Sequence, residues 1–414
     1  MRFATHLEAT SDGTTFALDS LQTCHDGQPI AVRYDLRALA ANVERDALRR
    51  RPPGMWRYRE LLPHASDAEV VSLGENATPL LPCPRLGARL GLSRLLIKDE
   101  STLPTGSFKA RGMAMAITRA KALGVTHVAT PTAGNAGGAL AAYAARAGLR
   151  CTVLMPADTP LVNQREVHWY GARAFAVDGL IHECGAIVRQ GAERGLWFDM
   201  STMKEPYRLE GKKTMGLELA DQLGWRLPDA IFYPTGGGTG LVGMHKAFAE
   251  LRELGWLDPA APLPRLFACQ ASGCAPVVTA FENGSPTAEL VPDATTAAAG
   301  LRVPKPFADR MILTALRESG GAALAAPEAE LSGWVGHAMR DEGIALCPEA
   351  AACLVGARQA LARGLIAAGD EIVVFNTGAA QKYVEFLAAE LPRLDRAAPD
   401  WVRLAGADDG PATR

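Results

Sequence analysis

From about residue 125 onward the chain alternates short runs of β-forming residues with longer stretches of helical character, and that alternation leaves few folds open. Residues 126–129 read as a strand, the Ala-rich stretch 137–147 as a helix, and 150–154 as the next strand, with Gly148 placed to end the helix between them. Residues 174–177 are strand-like after the turn at Gly171. Residues 230–233 run into a glycine loop and then a helix over 241–254. Two more strands are expected at 265–270 and 371–375. The second of these (Ile372-Val373-Val374-Phe375) is apolar enough to be buried on both faces. Helices over 348–363 and 384–391 should flank it. The pattern is α/β, with open, mainly parallel sheets covered by helices.

The chain has 414 residues, 48% of them hydrophobic, which is enough for two sizeable cores. A net charge of −2 with dispersed basic residues gives no footprint for nucleic acid or a membrane surface. Arg2, His6, Glu8, Asp12 and Asp19 interrupt the first twenty residues, so no secretory core is expected there. No apolar run approaches the roughly 18–20 residues a span requires. A cytoplasmic protein is expected. Cys24, Cys83, Cys151, Cys184, Cys269, Cys274, Cys347 and Cys353 form no CxxC pair and read as free thiols or small core residues. His245 reads as a helix-surface residue, and Trp56, Trp225 and Trp256 as packing anchors.

Only nine lysines stand against 34 arginines, so each primary amine merits attention. Lys109, in Pro104-Thr105-Gly106-Ser107-Phe108-Lys109-Ala110-Arg111-Gly112, opens an Ala/Met-rich helix, with Thr105 or Ser107 available as its cap. A helix N-terminus repels a cation, which favours the neutral, nucleophilic amine; the ordinary alternative is a surface lysine. Thr235-Gly236-Gly237-Gly238-Thr239-Gly240 lies between a strand and a helix. Its backbone N–H groups can converge on one phosphate, although neither the Walker nor the dinucleotide spacing is present. Thr132-Ala133-Gly134-Asn135-Ala136-Gly137-Gly138 is a second loop of this kind, able to hold a carboxylate, with an amide at Asn135. Asn376-Thr377-Gly378 puts a hydroxyl at the carboxyl end of a strand, where parallel sheets place ligands. Glu349, near a helix start, either faces the same pocket or compensates the helix dipole.

Taken together and in this order, these four motifs resemble the fold-type II pyridoxal-phosphate enzymes. Trp56-Arg57-Tyr58-Arg59-Glu60-Leu61-Leu62-Pro63, Gly74-Glu75-Asn76-Ala77-Thr78-Pro79-Leu80 and Tyr207-Arg208-Leu209-Glu210-Gly211-Lys212-Lys213-Thr214 are similar to the threonine synthase branch, over about residues 20–390. The resemblance implies that Lys109 carries pyridoxal 5'-phosphate and moves protons on the substrate. It implies that Asn135 meets the cofactor's phenolic oxygen, that Gly236, Gly237, Gly238 and Thr239 hold its phosphate, and that Thr377 meets the pyridine nitrogen. Thr132, Ala133, Gly134, Lys204 and Arg208 would receive the amino-acid substrate. The implied reaction turns O-phospho-L-homoserine and water into L-threonine and phosphate. The alternatives are an α,β-eliminating ammonia-lyase, a β-replacement synthase on an activated serine, and a catalytically silent protein binding a phosphorylated ligand.

The implied architecture sets a small domain (110–203) into a large one (51–109 and 204–395), with the active site between them. An N-terminal segment (1–50) would precede a linker at 50–54, and a flexible tail (396–414) would follow. A homodimer is compatible with this plan. Three departures stand out. Ala110 replaces the acid of the usual SFKDRG. Glu205 stands where an Asn usually precedes Pro206, near the expected substrate phosphate. Gly27 falls where a second cysteine would pair with Cys24, so no zinc knuckle is expected.

Overall fold

The computed structural model describes residues 2–64, 66–388 and 391–405. In chain order the strands are β1 (Ala4–Ala9), β2 (Thr15–Ala17), β3 (Ile30–Tyr34), β4 (Leu80–Pro82), β5 (Arg94–Asp99), β6 (His127–Pro131) and β7 (Arg150–Pro156). There follow β8 (Arg173–Val177), β9 (Phe198–Asp199), β10 (Ala230–Pro234), β11 (Arg265–Ala271), β12 (Ala322–Ala326) and β13 (Glu371–Asn376). They build three sheets. β2-β1-β3 is a small antiparallel sheet, β8-β7-β6-β9 is parallel, and β12-β11-β10-β13-β5-β4 is parallel except for β4 at its edge.

The strand orders explain where a ligand can sit. In the six-stranded sheet the chain runs outward from β10 to β11 and β12, then crosses to β13 on the other side of β10. In the four-stranded sheet it runs from β6 outward to β8, then returns to β9 on β6's free side. Each reversal opens a crevice at the carboxyl ends of the two central strands, because the connections there diverge to opposite faces. All six residues of β13 and all five of β10 are buried, as strands covered on both faces must be. Phe232 and Phe267 stack at 4.4 Å between ring centroids, part of one apolar layer, while Tyr233 and Phe375 join the layer on the opposite face.

Two helices join the halves. Lys109–Ala122 packs along Tyr207–Gln222, and the contact is close because Gly211 faces it: a Cβ there would lie 2.1 Å from the Arg111 carbonyl oxygen. Charged side chains are buried around this contact. Arg111 bonds Glu100 at 2.7 Å and Glu218 at 2.9 Å, and Lys98 bonds Glu218 at 2.6 Å.

One expected helix is corrected. Residues 384–391 do not form a helix: 384–387 make a turn, and 389–390 lie outside the described residues. The 50–54 segment is tied down, with Arg51 bonding Glu60 at 2.6 and 2.7 Å and Gly54 at φ 132° against the Glu75 backbone. The expected tail contains a short helix, Trp401–Leu404, and residues 406–414 lie outside the described residues. His245 meets Glu318 at 3.3 Å, and Trp225 packs edge-on against Trp256.

Candidate active site

The loops at both crevices open onto one cavity of about 660 Å³. Lys109, Asn135, Thr132, Ala133, Gly134, Lys204, Gly236, Gly237, Gly238, Thr239 and Thr377 all line it. Loops after β6, β9, β10 and β13 supply all of them but Lys109, so sequence-distant motifs meet because the strand ends of both sheets open onto one cavity.

Lys109 begins its helix from an uncapped start. Phe108 occupies the cap position, and neither the Thr105 nor the Ser107 hydroxyl bonds the helix, so the expected cap is absent; the Ser107 carbonyl accepts the Ala110 N–H at 3.1 Å. Instead the Ser107 and Thr105 hydroxyls are buried without a partner among the described residues, and Thr105 adopts φ 59°. The Lys109 amine has no hydrogen bond or ion pair among the described residues; its nitrogen lies 4.3 Å from the Phe108 ring centroid. Burial, helped by the positive charge of Arg208 and opposed by Glu349, brings its pKa down to about 7. A large fraction of this amine is therefore uncharged at neutral pH, which nucleophilic attack requires.

The loop after β10 is bare for a steric reason. A Cβ on Gly236 would lie 2.6 Å from the Gly300 carbonyl oxygen, and one on Gly237 would lie 2.9 Å from Thr202 Cγ2. Gly238 sits at φ 72°, a region that L side chains rarely adopt. The helix Thr239–Glu253 starts immediately after, so its N-terminal field adds to the donors of the loop. Across the cavity, Thr132 Oγ donates to the Gly134 carbonyl at 2.8 Å and accepts from the Gly134 N–H at 3.0 Å. Its hydroxyl thus shapes its own loop. Asn135 accepts from Asn163 at 3.0 Å and donates to the Tyr383 hydroxyl at 3.4 Å; that hydroxyl donates to Glu349 at 2.8 Å. Glu349 also accepts the Gly300 N–H at 2.7 Å, so it faces the site and holds a wall of it in place. The Thr377 hydroxyl has Cys347 Sγ as its polar neighbour, at 3.8 Å.

Arg208 is the candidate that does not reach the cavity wall. It is 2% exposed and donates to the Met200 carbonyl at 2.7 Å. Glu205 is also absent from the wall. Its carboxylate accepts the N–H groups of Tyr207 at 2.8 Å and Arg208 at 3.1 Å, capping the helix Tyr207–Gln222. Burial pushes that carboxyl up to about 7 against the pull of Arg208. Sequence reasoning missed the cations of the outer wall: Arg189, Arg302, Lys305 and Arg310. No local motif marks them, since only the folded loop 299–310 and the helix Ile181–Glu193 bring them to one opening.

An amine without a counter-ion, a phosphate cradle cleared of side chains and a hydroxyl short of partners fit a phosphorylated aldehyde. The chain belongs to the family of pyridoxal-phosphate dependent enzymes, whose model matches residues 71–378. Within it, the sequence is 35% identical to threonine synthase of Methanocaldococcus jannaschii over 88% of this chain and 90% of that protein. It is 34% identical to threonine synthase of Methanosarcina acetivorans, over 90% and 91%. Among solved structures, maize serine racemase superposes with a TM-score of 0.63 at 20% identity, covering 74% of this chain and 88% of that one. Threonine deaminase isoform 2 from Solanum lycopersicum gives 0.63 at 20% identity, over 82% and 96%. The fold is that of the fold-type II enzymes, and pyridoxal 5'-phosphate is the cofactor. Among the described residues, no helix is long and apolar enough to cross a membrane.

Proposed function

We propose that this enzyme is a threonine synthase, converting O-phospho-L-homoserine and water to L-threonine and inorganic phosphate. The observation that carries the reading is Lys109. Its amine, with a pKa brought down to about 7, stands in the same cavity as the bare Gly236-Gly237-Gly238 loop, under a wall rich in cations. The Gly236, Gly237, Gly238 and Thr239 backbone would hold the cofactor phosphate, Asn135 its phenolic oxygen and Thr377 its ring nitrogen. When bound, the cofactor draws electrons from the substrate's carbon chain, which makes the protons at Cα and Cβ removable. Lys109 takes those protons and returns them. The balance is closed: the Cγ–O bond breaks with its electron pair leaving on phosphate, Cγ gains a proton and becomes a methyl, and water supplies the hydroxyl at Cβ.

The backbone donors of Thr132, Ala133 and Gly134 suit the substrate carboxylate, and Lys204 suits its phosphate. Glu205 supports this reading by bonding a helix start, which removes the objection of an acid beside a dianion. We read 51–109 with 204–395 as the large domain and 110–203 as the small one, after an N-terminal segment at 1–50, since each larger sheet lies within one of these spans. A cytoplasmic homodimer completes the reading. The unpaired edge of β8, with Phe175 on the strand and Trp169 nearby both exposed, offers a surface for a second copy.

The test is product analysis with O-phosphohomoserine, threonine and serine in parallel. Threonine and phosphate in equal amounts support the proposal. Ammonia and a 2-oxo acid without phosphate would make this an ammonia-lyase.

A further inference from the structure

Lys98, Lys212 and Lys213 are all at most 1% exposed, yet their surroundings differ. Lys98 is paired with Glu218 at 2.6 Å, and Lys213 with Glu210 at 2.7 Å and Glu250 at 2.8 Å. Lys212 has no carboxylate partner among the described residues. Its amine donates to the backbone carbonyl of Phe108, the residue before Lys109. Its nitrogen also lies 3.9 Å from the centroid of the Phe108 ring, the ring that the Lys109 nitrogen approaches to 4.3 Å. Two amines from two helices thus contact one aromatic ring, and that ring lines the cavity.

The packing leaves Lys212 little freedom. Gly112, on the opposing helix, has no side chain where a Cβ would come within 2.9 Å of Lys212 Cε and 3.2 Å of the Arg208 carbonyl oxygen. The charged groups around the amine are Lys109 and Arg111 on that helix, Arg208 on its own helix, and Glu100. Burial and the three cations push the Lys212 pKa well below that of an ordinary lysine, against the weaker pull of Glu100. The Phe108 carbonyl is thus the polar partner that this amine meets among the described residues, in surroundings that weaken its hold on a proton.

We propose that Lys212 is the positioning residue of this active site, pinning the Phe108 carbonyl and ring so that the Lys109 amine enters the cavity at a fixed point. The Phe108 position is uncapped by any side chain; the Thr377 carbonyl holds its N–H at 3.1 Å, and Lys212 holds its carbonyl and ring from the other side. Removing it lets the first turn fray and the amine wander, and a small misplacement of a reacting group costs rate far more than binding.

The inference rests on Lys109 as the cofactor lysine, and one set of variants separates the two claims. Lys212→Gln keeps an N–H donor for the Phe108 carbonyl; Lys212→Met keeps the length and loses the donor. In the holoenzyme, Lys212→Met should lower kcat at least tenfold with KM changed less than threefold. It should also alter the visible circular dichroism of the bound cofactor, which reports the cofactor's orientation. Lys212→Gln should restore both toward wild type at a similar melting temperature. Phe108→Leu, which keeps the carbonyl and removes the ring, should show the same two changes at smaller size, and it stands in if Lys212→Met does not fold. Equal behaviour of the Gln and Met variants, or wild-type dichroism and kcat in Phe108→Leu, would overturn the proposal. A Lys109→Ala protein that keeps its borohydride-sensitive colour would instead overturn the assignment beneath it.

Discussion

Stripped of cofactor, the protein keeps the Lys109 amine inside a cavity where protonation is resisted, and that resistance has a measurable effect on stability. The folded pKa is about 7 and the ordinary value 10.5. Between these values the unfolded chain binds a proton that the folded chain does not, so stability rises with pH across this window. Lys109→Met removes the contribution. The apo variant should be more stable than apo wild type by on the order of 2–4 kcal/mol near pH 7, and the gap should close toward pH 10.5. Urea titrations at several pH values check this; a gap independent of pH contradicts it. Lys109→Ala should abolish the yellow colour and turnover together. Lys109 itself was legible because a lysine after Gly-Ser-Phe in an arginine-rich chain is conspicuous. The cause of its low pKa was not: the helix dipole suggests it, but burial and Arg208 dominate, and neither is visible before the chain folds.

The loop after β10 and the paired helices show what single elements contribute. Gly237→Asp introduces a Cβ within 2.9 Å of Thr202 and a negative charge in the phosphate cradle. Cofactor affinity should fall at least tenfold, read as loss on dialysis, while the melting temperature moves by only a few degrees. Cofactor retention equal to wild type would refute the cradle. Arg111→Met belongs to the opposite class. It leaves Glu100 and Glu218 buried without their shared cation, which costs about 3–5 kcal/mol and should lower the urea midpoint sharply. Strands and glycine loops were readable because β-branched runs and glycine clusters are local signals. The helix expected over 384–391 failed because only Phe386 and Leu387 pack on the core, from a turn, while Val384 and Leu391 stay exposed. The direction of Glu205 could not be read because a carboxylate capping a helix and one facing a ligand look identical in sequence.

Across the whole molecule, the site exists because two sheets reverse their strand order at facing crevices. Arg302–Asp158 at 2.5 Å and Lys382–Glu166 at 2.6 Å tie the loops of the six-stranded half to those of the four-stranded half. The cations of the outer wall were illegible in sequence for the same reason: they converge only when both halves are in place. Lys305 and Arg310 are exposed on that wall and have no ion-pair partner among the described residues. An anionic substrate should therefore be drawn in electrostatically, and kcat/KM for O-phosphohomoserine should fall severalfold between low and physiological salt. For threonine or serine it should stay nearly flat, and equal slopes would contradict steering. Turnover in ¹⁸O-labelled water shows whether one site both breaks the Cγ–O bond and hydrates Cβ. Threonine should carry the label in its side-chain hydroxyl and the released phosphate should carry none. Label in the phosphate, with homoserine as the co-product, would mean that water attacks phosphorus, and would contradict the proposed reaction.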